Sequence, residues 1–181
     1  MNSNTQKIVI TGGPGTGKTT LIDHFDTKGY AVMEEVSRDV ILEARKEGIE
    51  QLFLVKPLLF SEKLLHSRLA QFKSTFEEEA FVLFDRGMPD VTAYMDYLGT
   101  KYPSHFDETC QNHRYDLIFL LPPWEEIYTQ DNERYESFEQ AELIYQCLLD
   151  GYQKYGYDVI QVPVGTIAER CQYIIDRCST I

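Results

Sequence analysis

The chain reads as an α/β protein, a sheet of five parallel strands covered by helices on both faces, with a small lid. Three observations predict this. Residues 12 to 19 read Gly-Gly-Pro-Gly-Thr-Gly-Lys-Thr, matching Gly-x-x-x-x-Gly-Lys-[Ser/Thr] without a mismatch and standing between an apolar run and a helical pattern. Short apolar runs alternate with helical stripes along the whole chain, the pattern that right-handed crossovers turn into a doubly wound sheet. Runs such as Leu117-Ile118-Phe119-Leu120-Leu121 are apolar at every position, which suits a strand buried on both faces and not a half-solvated hairpin.

The first strand is expected over 7–11, around Ile8-Val9-Ile10, and the helix behind the glycine loop carries Leu21, Ile22 and Phe25 at helical spacing. This context marks a P-loop NTPase fold. Further strands are expected over 30–34, 81–84, 117–121 and 158–162. Between them, Leu58, Leu65, Leu69, Phe72 and Phe76 form one stripe after Pro57. Phe138, Ala141, Ile144, Tyr145, Leu148 and Tyr152 form a second, and Cys171, Ile174, Ile175 and Cys178 a third. The 181 residues suit a single domain, 1–181, with a lid-like segment at about 122–137.

Lys and Arg number 17 against 29 Asp and Glu, a net charge of −12. This disfavours non-specific binding to nucleic acid or to an anionic membrane surface, so an anionic ligand needs local basic groups. No apolar run reaches the length of a membrane span, and the first residues lack signal-peptide character. Cys110, Cys147, Cys171 and Cys178 form no CxxC pair, and Cys171 and Cys178, seven apart on an expected helix, read as small core side chains. The cytoplasm is the expected compartment. No feature indicates a protein partner.

The glycine loop carries the first functional expectation, a nucleoside triphosphate site. Gly12, Gly13, Gly15 and Gly17, with Pro14 and Thr16 between them, allow main-chain amides to converge on phosphate oxygens at a helix N-terminus. Lys18 would place an ammonium on the outer phosphates, and Thr19, followed by Thr20, offers a hydroxyl to Mg²⁺. No Asn-Lys-x-Asp run is present, which weakens the case for GTP against ATP.

In doubly wound sheets, ligands sit beyond the carboxyl ends of the strands. The second strand ends in Glu34-Glu35, followed by Val36-Ser37-Arg38. Glu35 either meets a substrate hydroxyl or stabilises a helix N-terminus, and Arg38 is a candidate for holding an anionic or planar group. The third ends Asp85-Arg86-Gly87. Asp85 is placed to hold Mg²⁺ or orient a hydroxyl, and Arg86 to neutralise phosphate charge, unless the two simply pair with each other. Asp90 is either a substrate contact or an N-cap. After the fourth strand, Trp124 is either a core anchor or a wall for a base. From Trp124 to Tyr152 eight acidic residues accompany one basic residue, Arg134, a candidate lid arginine or a solvated helix residue. The turn Val162-Pro163-Val164-Gly165-Thr166 could edge an adenine or simply cap the last helix.

Several of these segments, taken in order, resemble the small bacterial predicted ATPases of the AAA-domain type related to the ribosylnicotinamide kinase domain. More distantly they are similar to nucleoside and nucleoside-monophosphate kinases. The resemblance rests on Ile10 to Thr19, on Glu35-Val36-Ser37-Arg38 and on Asp85-Arg86-Gly87-Met88-Pro89-Asp90. Pro122-Pro123-Trp124 with Ile127-Tyr128, Asp131 and Glu133-Arg134, and then Gly156-Tyr157 before Val162-Pro163, complete it. It implies five parallel strands, an arginine-bearing lid and ATP with Mg²⁺. By the same resemblance Glu35 would face the phosphate acceptor, and Asp85 with Arg86 would sit at the reacting phosphates. The chain departs from the monophosphate-kinase pattern in having one lid arginine where those relatives carry several. The length leaves no room for a separate helical domain with a sensor arginine, so no ring-forming motor is implied.

Two functions emerge as expectations. In the first, a kinase moves the γ-phosphoryl group of ATP·Mg²⁺ to a nucleoside- or nucleotide-like acceptor, using Lys18, Asp85, Arg86, Arg134 and Glu35. The acceptor would meet Glu35, Arg38 and Asp90. In the second, a slow ATPase acts as a nucleotide-dependent switch or partner-binding module.

Overall fold

Ile8, Val9 and Ile10 form the middle of the central strand β1 (Gln6–Gly12), and all three are fully buried. Because successive side chains of a strand point to opposite faces, Val9 joins one core while Ile8 and Ile10 join another. The computed structural model describes residues 5–74, 76, 79–128 and 137–178.

In chain order, β1 is followed by α1 (Lys18–Thr27), β2 (Val32–Met33), α2 (Ser37–Lys46), α3 (Leu52–Val55) and α4 (Pro57–Lys73). Next come β3 (Phe81–Asp85), α5 (Met88–Tyr97), α6 (His105–Asn112) and β4 (Leu117–Leu121). A single 3-10 turn (Glu125–Ile127), α7 (Phe138–Lys154), β5 (Val159–Gln161) and α8 (Ile167–Cys178) complete the described elements. The strands lie in the order β2-β3-β1-β4-β5, and every pairing is parallel.

One face of the sheet buries Val9, Phe84 and Ile118 against Leu65 of α4, Val91 of α5 and Tyr152 of α7. The other buries Ile10, Leu83 and Phe119 against Leu21 and Phe25 of α1 and Ile174 of α8. Each large aliphatic or aromatic side chain taken fully out of water contributes about 1.5–3 kcal/mol, so the two apolar layers fix the sheet between its helices. Register then places the site. Ile10 of β1 pairs with Asp85 of β3, and Gly12 pairs with Leu121 of β4. The glycine loop therefore leaves the sheet beside Asp85.

The sheet is the one the apolar runs predict; the differences lie at element ends and in α3 and α6, which no stripe in the sequence marks. Strand β2 keeps only two residues, because α1 closes through Gly29 in the left-handed region (φ 84°) and the Tyr30 amide bonds back to the Phe25 carbonyl. Helix α4 stops at Lys73, short of Phe76, whose ring packs edge-on against Phe84 at 6.2 Å from beyond the helix. Cys110, Cys171 and Cys178 are buried thiols. Among the described residues no helix is long and apolar enough to cross a membrane.

Candidate functional site

The glycine loop takes its shape from two left-handed residues. Gly15 and Gly17 both sit at φ 73°, a region that side chains with a Cβ disfavour, and Gly17 is the N-cap of α1. Space reinforces the requirement: a Cβ on Gly15 would overlap the Tyr128 ring. On Gly17 it would stand 3.0 Å from Arg170 Nη1 and 3.2 Å from Ile127 Cδ1. Gly12 and Gly13 are buried where β1 ends, Pro14 is half-buried, and the Thr16 hydroxyl donates to the Gly13 carbonyl at 3.0 Å. The loop is thus a concave stretch of main chain with nothing on its inner side larger than a hydrogen at the two left-handed positions.

Lys18, the first residue of α1, bonds Asp85 through its ammonium. Burial, followed by the positive charge of Arg86, lowers the Lys18 pKa, and Asp85 acts against that shift. Thr19 lines the same cleft as Lys18 and Asp85, a space of about 420 Å³ that also meets Glu35, Arg38 and Arg86. Arg38 and Thr19 are exposed there, so both can turn toward a ligand. Thr20 faces a neighbouring space walled by Trp124. Among the described residues no cluster of three or more His, Cys, Asp or Glu could hold a metal ion. A hydroxyl and one carboxylate do fit a hard cation such as Mg²⁺, which takes few protein oxygens when phosphates and water supply the rest.

Beyond Lys18 the cleft is governed by a network of charges. Arg86 adopts φ 72°, the left-handed region at a residue with a full side chain, and it is the one such case among the described non-glycine residues. Such backbone is held only where its surroundings over-determine it. Here the Arg86 Nε contacts Glu35 Oε2 at 2.7 Å, its Nη1 contacts Asp90 Oδ1 at 3.3 Å, and its guanidinium lies 5.3 Å from the centre of the Tyr94 ring. Asp90, 1% exposed, also accepts from the Thr11 hydroxyl, from the Gly87 amide at 2.8 Å and from the Tyr152 hydroxyl at 2.5 Å. Two carboxylate oxygens offer about four lone-pair positions, and all four are taken within the protein. Asp90 therefore holds β1, α7 and Arg86 together, and from the third position of α5 it also caps the N-cap amide of Gly87.

Glu35 is the second hub. It accepts from Arg68 Nη2 at 2.9 Å as well as from Arg86, and the Ser37 amide donates to it at 3.2 Å. Glu35 thus takes the helix N-terminal place that is one of the two roles open from the sequence, and it also lines the cleft, where the other would require it to meet a substrate hydroxyl. Burial opposes ionisation of Glu35, but the adjacent Arg68 and Arg86 outweigh it and hold the carboxyl at about 2. A carboxylate that acidic is a weak base, and it acts by accepting hydrogen bonds.

Three members of the network were not marked by the sequence. Arg68 of α4, 4% exposed, donates to Glu35 and, at 3.0 Å, to the Gly87 carbonyl. Arg170 of α8, 3% exposed, donates at 3.0 Å to the Thr16 carbonyl and so braces the glycine loop from behind. Tyr152 of α7 binds Asp90, and burial, then the Asp90 charge, push its phenol well above its ordinary pKa, so that it stays a donor. A signal for Arg68 existed: it lies three residues from Leu65 and four from Leu64, inside the buried stripe of its helix.

Two further spaces adjoin the cleft. One, about 490 Å³, is walled by Trp124, Ile127, Gly165, Thr166 and Arg170 and opens onto Gly15, Gly17 and Thr20. Trp124 is half-buried in this wall. The other, about 460 Å³, shares Glu35, Ser37 and Arg86 with the cleft and runs on between α4 and α5. The lid candidate Arg134 lies outside the described residues, as do Asp131 and Glu133. The preceding residues Ile127 and Tyr128 do reach the loop, as the Gly15 and Gly17 contacts record.

A family model described as "AAA domain" matches residues 7–170. The chain belongs to this family. The resemblance read from the motifs thus holds for nearly the whole chain, and the fold is that of P-loop nucleoside-kinase-like proteins. Among solved structures, deoxyadenosine kinase from M. mycoides, with the products dCMP and a flexible dCDP bound, superposes with a TM-score of 0.69 at 17% identity, covering 97% of this chain and 100% of that one. A NadR protein in complex with NR superposes with a TM-score of 0.70 at 18% identity, covering 95% of this chain. The chain spans about half the length of that protein, 50%. At these identities the likeness establishes the fold. No curated protein matches the chain.

Proposed function

We propose that this AAA-domain protein is an ATP-dependent phosphotransferase that carries the γ-phosphoryl group of ATP to a hydroxyl of a small, nucleoside-sized acceptor. The observation that carries the reading is continuity. A single cleft leads from Lys18 and Thr19, where the glycine loop enters α1, past Asp85 and Arg86 to Glu35, and there shares its wall with a cavity large enough for a small molecule. The likeness of the fold to a deoxyadenosine kinase supports it.

The triphosphate would lie on the loop formed by Gly12 to Thr20, with its base in the space between Trp124 and the Gly165-Thr166 turn. Lys18 exchanges Asp85 for phosphate oxygens, which frees the Asp85 carboxylate. Asp85 and Thr19 would then hold Mg²⁺, which supplies charge neutralisation across the β- and γ-phosphates. Arg86, fixed in direction by Glu35 and Asp90, faces the charge that builds on the transferring group; preorganised donors of this kind are the largest source of rate in such sites. Arg134 is proposed as a further cation over the same group, and Arg38 as a contact on the open side. Glu35 orients the acceptor hydroxyl through a hydrogen bond. The hydroxyl oxygen bonds to the γ-phosphorus as the bond to the β–γ bridging oxygen breaks, ADP leaves with that electron pair, and the hydroxyl proton passes to solvent.

The test is incubation of the purified protein with ATP·Mg²⁺ and a panel of nucleosides, nucleotides and nicotinamide riboside, with products read by mass. A phosphorylated acceptor, formed only in its presence and lost in Lys18→Ala, is the expected result. A slow ATPase switch is the second reading, favoured by the single basic residue between Trp124 and Tyr152. It predicts ADP formation that no acceptor accelerates.

A further inference from the structure

If the protein is a phosphotransferase, on which reading this inference rests, the cavity between α4 and α5 constrains its acceptor further. The charged lining of the cavity is confined to the end it shares with the cleft, where Arg68 and Arg86 face Glu35 and Asp90. These two cations and two anions sum to zero, and each arginine already spends donors on the carboxylates beside it. Even the Arg68 Nε, which has no hydrogen-bond partner among the described residues, belongs to a guanidinium whose charge Glu35 neutralises. A phosphate-bearing acceptor would bring about two negative charges into this space, where among the described residues of the lining every cation already has a carboxylate partner.

The remainder of the wall is apolar and aromatic. Phe60, Leu64, Val91 and Met95 form its sides, and Phe53 and Leu54, 43% and 64% exposed, stand at its rim. Its remaining hydrogen-bonding side chains are the hydroxyls of Ser37, Ser61, Tyr94, Tyr97 and Thr100. Among the described residues the lining holds no asparagine or glutamine, the side chains that give paired, directional bonds to the edge of a base. Nor does the main chain substitute for them along the interiors of α4 and α5, where helical bonds already occupy it.

We infer that the acceptor is an uncharged, phosphate-free, hydroxyl-bearing molecule whose flat or apolar body is held by shape and stacking between α4 and α5, and not through the hydrogen-bonding edge of a base. The hydroxyl sits at the Glu35 end and the body fills the aromatic end. The reaction requires nothing beyond ATP·Mg²⁺ and this hydroxyl.

A chosen set of ribosides tests the inference on the intact protein. It contains adenosine, cytidine, a riboside bearing an unsubstituted phenyl ring in place of the base, and the 5′-monophosphates of the first two. A pocket that reads by shape discriminates by about 10- to 200-fold, whereas one built around paired hydrogen bonds rejects an analogue lacking them by about 10⁴. The expected result is phosphorylation of the phenyl riboside within about 100-fold of the better nucleoside in kcat/KM, with no phosphorylation of either monophosphate. Rejection of the phenyl riboside by about 10⁴, or preference for a monophosphate, overturns the inference and leaves the phosphotransferase reading standing. ADP formation that no member of the set accelerates overturns both. The cavity itself is checked with Phe53→Ala, a rim substitution: it raises the acceptor KM about tenfold with unchanged ATP affinity. An unchanged acceptor KM places the acceptor elsewhere.

Discussion

The two ends of the cleft are built by opposite means. At the end proposed for the triphosphate the surface is chiefly main chain. It comes from one unbroken stretch, residues 12 to 20, and its requirements are the lack of side chains at its glycines and two left-handed angles. At the end proposed for the acceptor the surface is side chain. Glu35 follows β2, Arg68 is on α4, Arg86 follows β3, Asp90 is on α5, Thr11 on β1 and Tyr152 on α7. The first end is local, so one substitution is felt on the spot. The second is a network in which each member holds the others, so its loss spreads.

The largest effect expected from this contrast is at Lys18. Lys18→Ala removes the one side-chain ammonium of the loop and lowers kcat/KM by about 100-fold or more, since a single preorganised charge-stabilising group contributes about 2.7–4 kcal/mol. Steady-state kinetics with the identified acceptor measure it, and thermal unfolding shifts to lower temperature as well, because buried Asp85 loses its ammonium partner. Wild-type rates in this variant would move the triphosphate site away from the loop.

Glu35→Gln is the matching break at the other end. It leaves buried Arg68 without its countercharge, and the cost in stability is of the order of 1–3 kcal/mol, read from denaturant unfolding. Catalysis falls as well, through a misdirected Arg86. A variant of full stability and full activity would contradict the role given to the Glu35 hub. The comparison sharpens with pH. Glu35 has its folded pKa depressed from 4.5 to about 2, so its contribution is fully present above about 4.5 and is lost as pH falls toward 2. The stability gap between wild type and Glu35→Gln is therefore constant at neutral pH and closes across that acid window. A gap that closes near neutrality would mean that the arginines do not hold Glu35 ionised.

Tyr152→Phe is a smaller break in the same network. It removes one hydrogen bond to Asp90 and keeps the packing, costing about 1–2 kcal/mol of stability. Because Asp90 directs Arg86, kcat falls while calorimetric ATP affinity stays unchanged. Gly15→Ala is the smallest and most local break. It strains a left-handed residue by about 1 kcal/mol and presses on Tyr128, so ATP affinity falls while acceptor binding is untouched.

The same contrast explains what the sequence made legible. The loop could be read because its chemistry is contiguous: glycine, lysine and threonine in register between a strand and a helix. Asp85 and Arg86 were legible because an apolar strand ends on them, and Glu35 for the same reason. The partners of these residues were not, because Arg68, Tyr152 and Arg170 lie 33, 62 and 154 residues away from the groups they bond. Arg68 and Tyr152 sit within helical stripes that read as core. Asp90 was legible as a cap or a substrate contact, but its full set of four partners was not: Arg86 and Gly87 are its neighbours in the β3–α5 turn, whereas Thr11 of β1 and Tyr152 of α7 lie 79 and 62 residues away. The aromatic cavity was illegible for a different reason: its lining residues look like any other apolar helix faces until α4 and α5 are placed side by side.

A polyphosphate held by the glycine loop and Lys18 underlies every role assigned to the cleft. Calorimetric titration of ATP·Mg²⁺ into wild type and Lys18→Ala tests this most directly. Saturable heat in the wild type, lost or greatly weakened in the variant, is the predicted result; no heat in the wild type, or equal binding by both proteins, would contradict it.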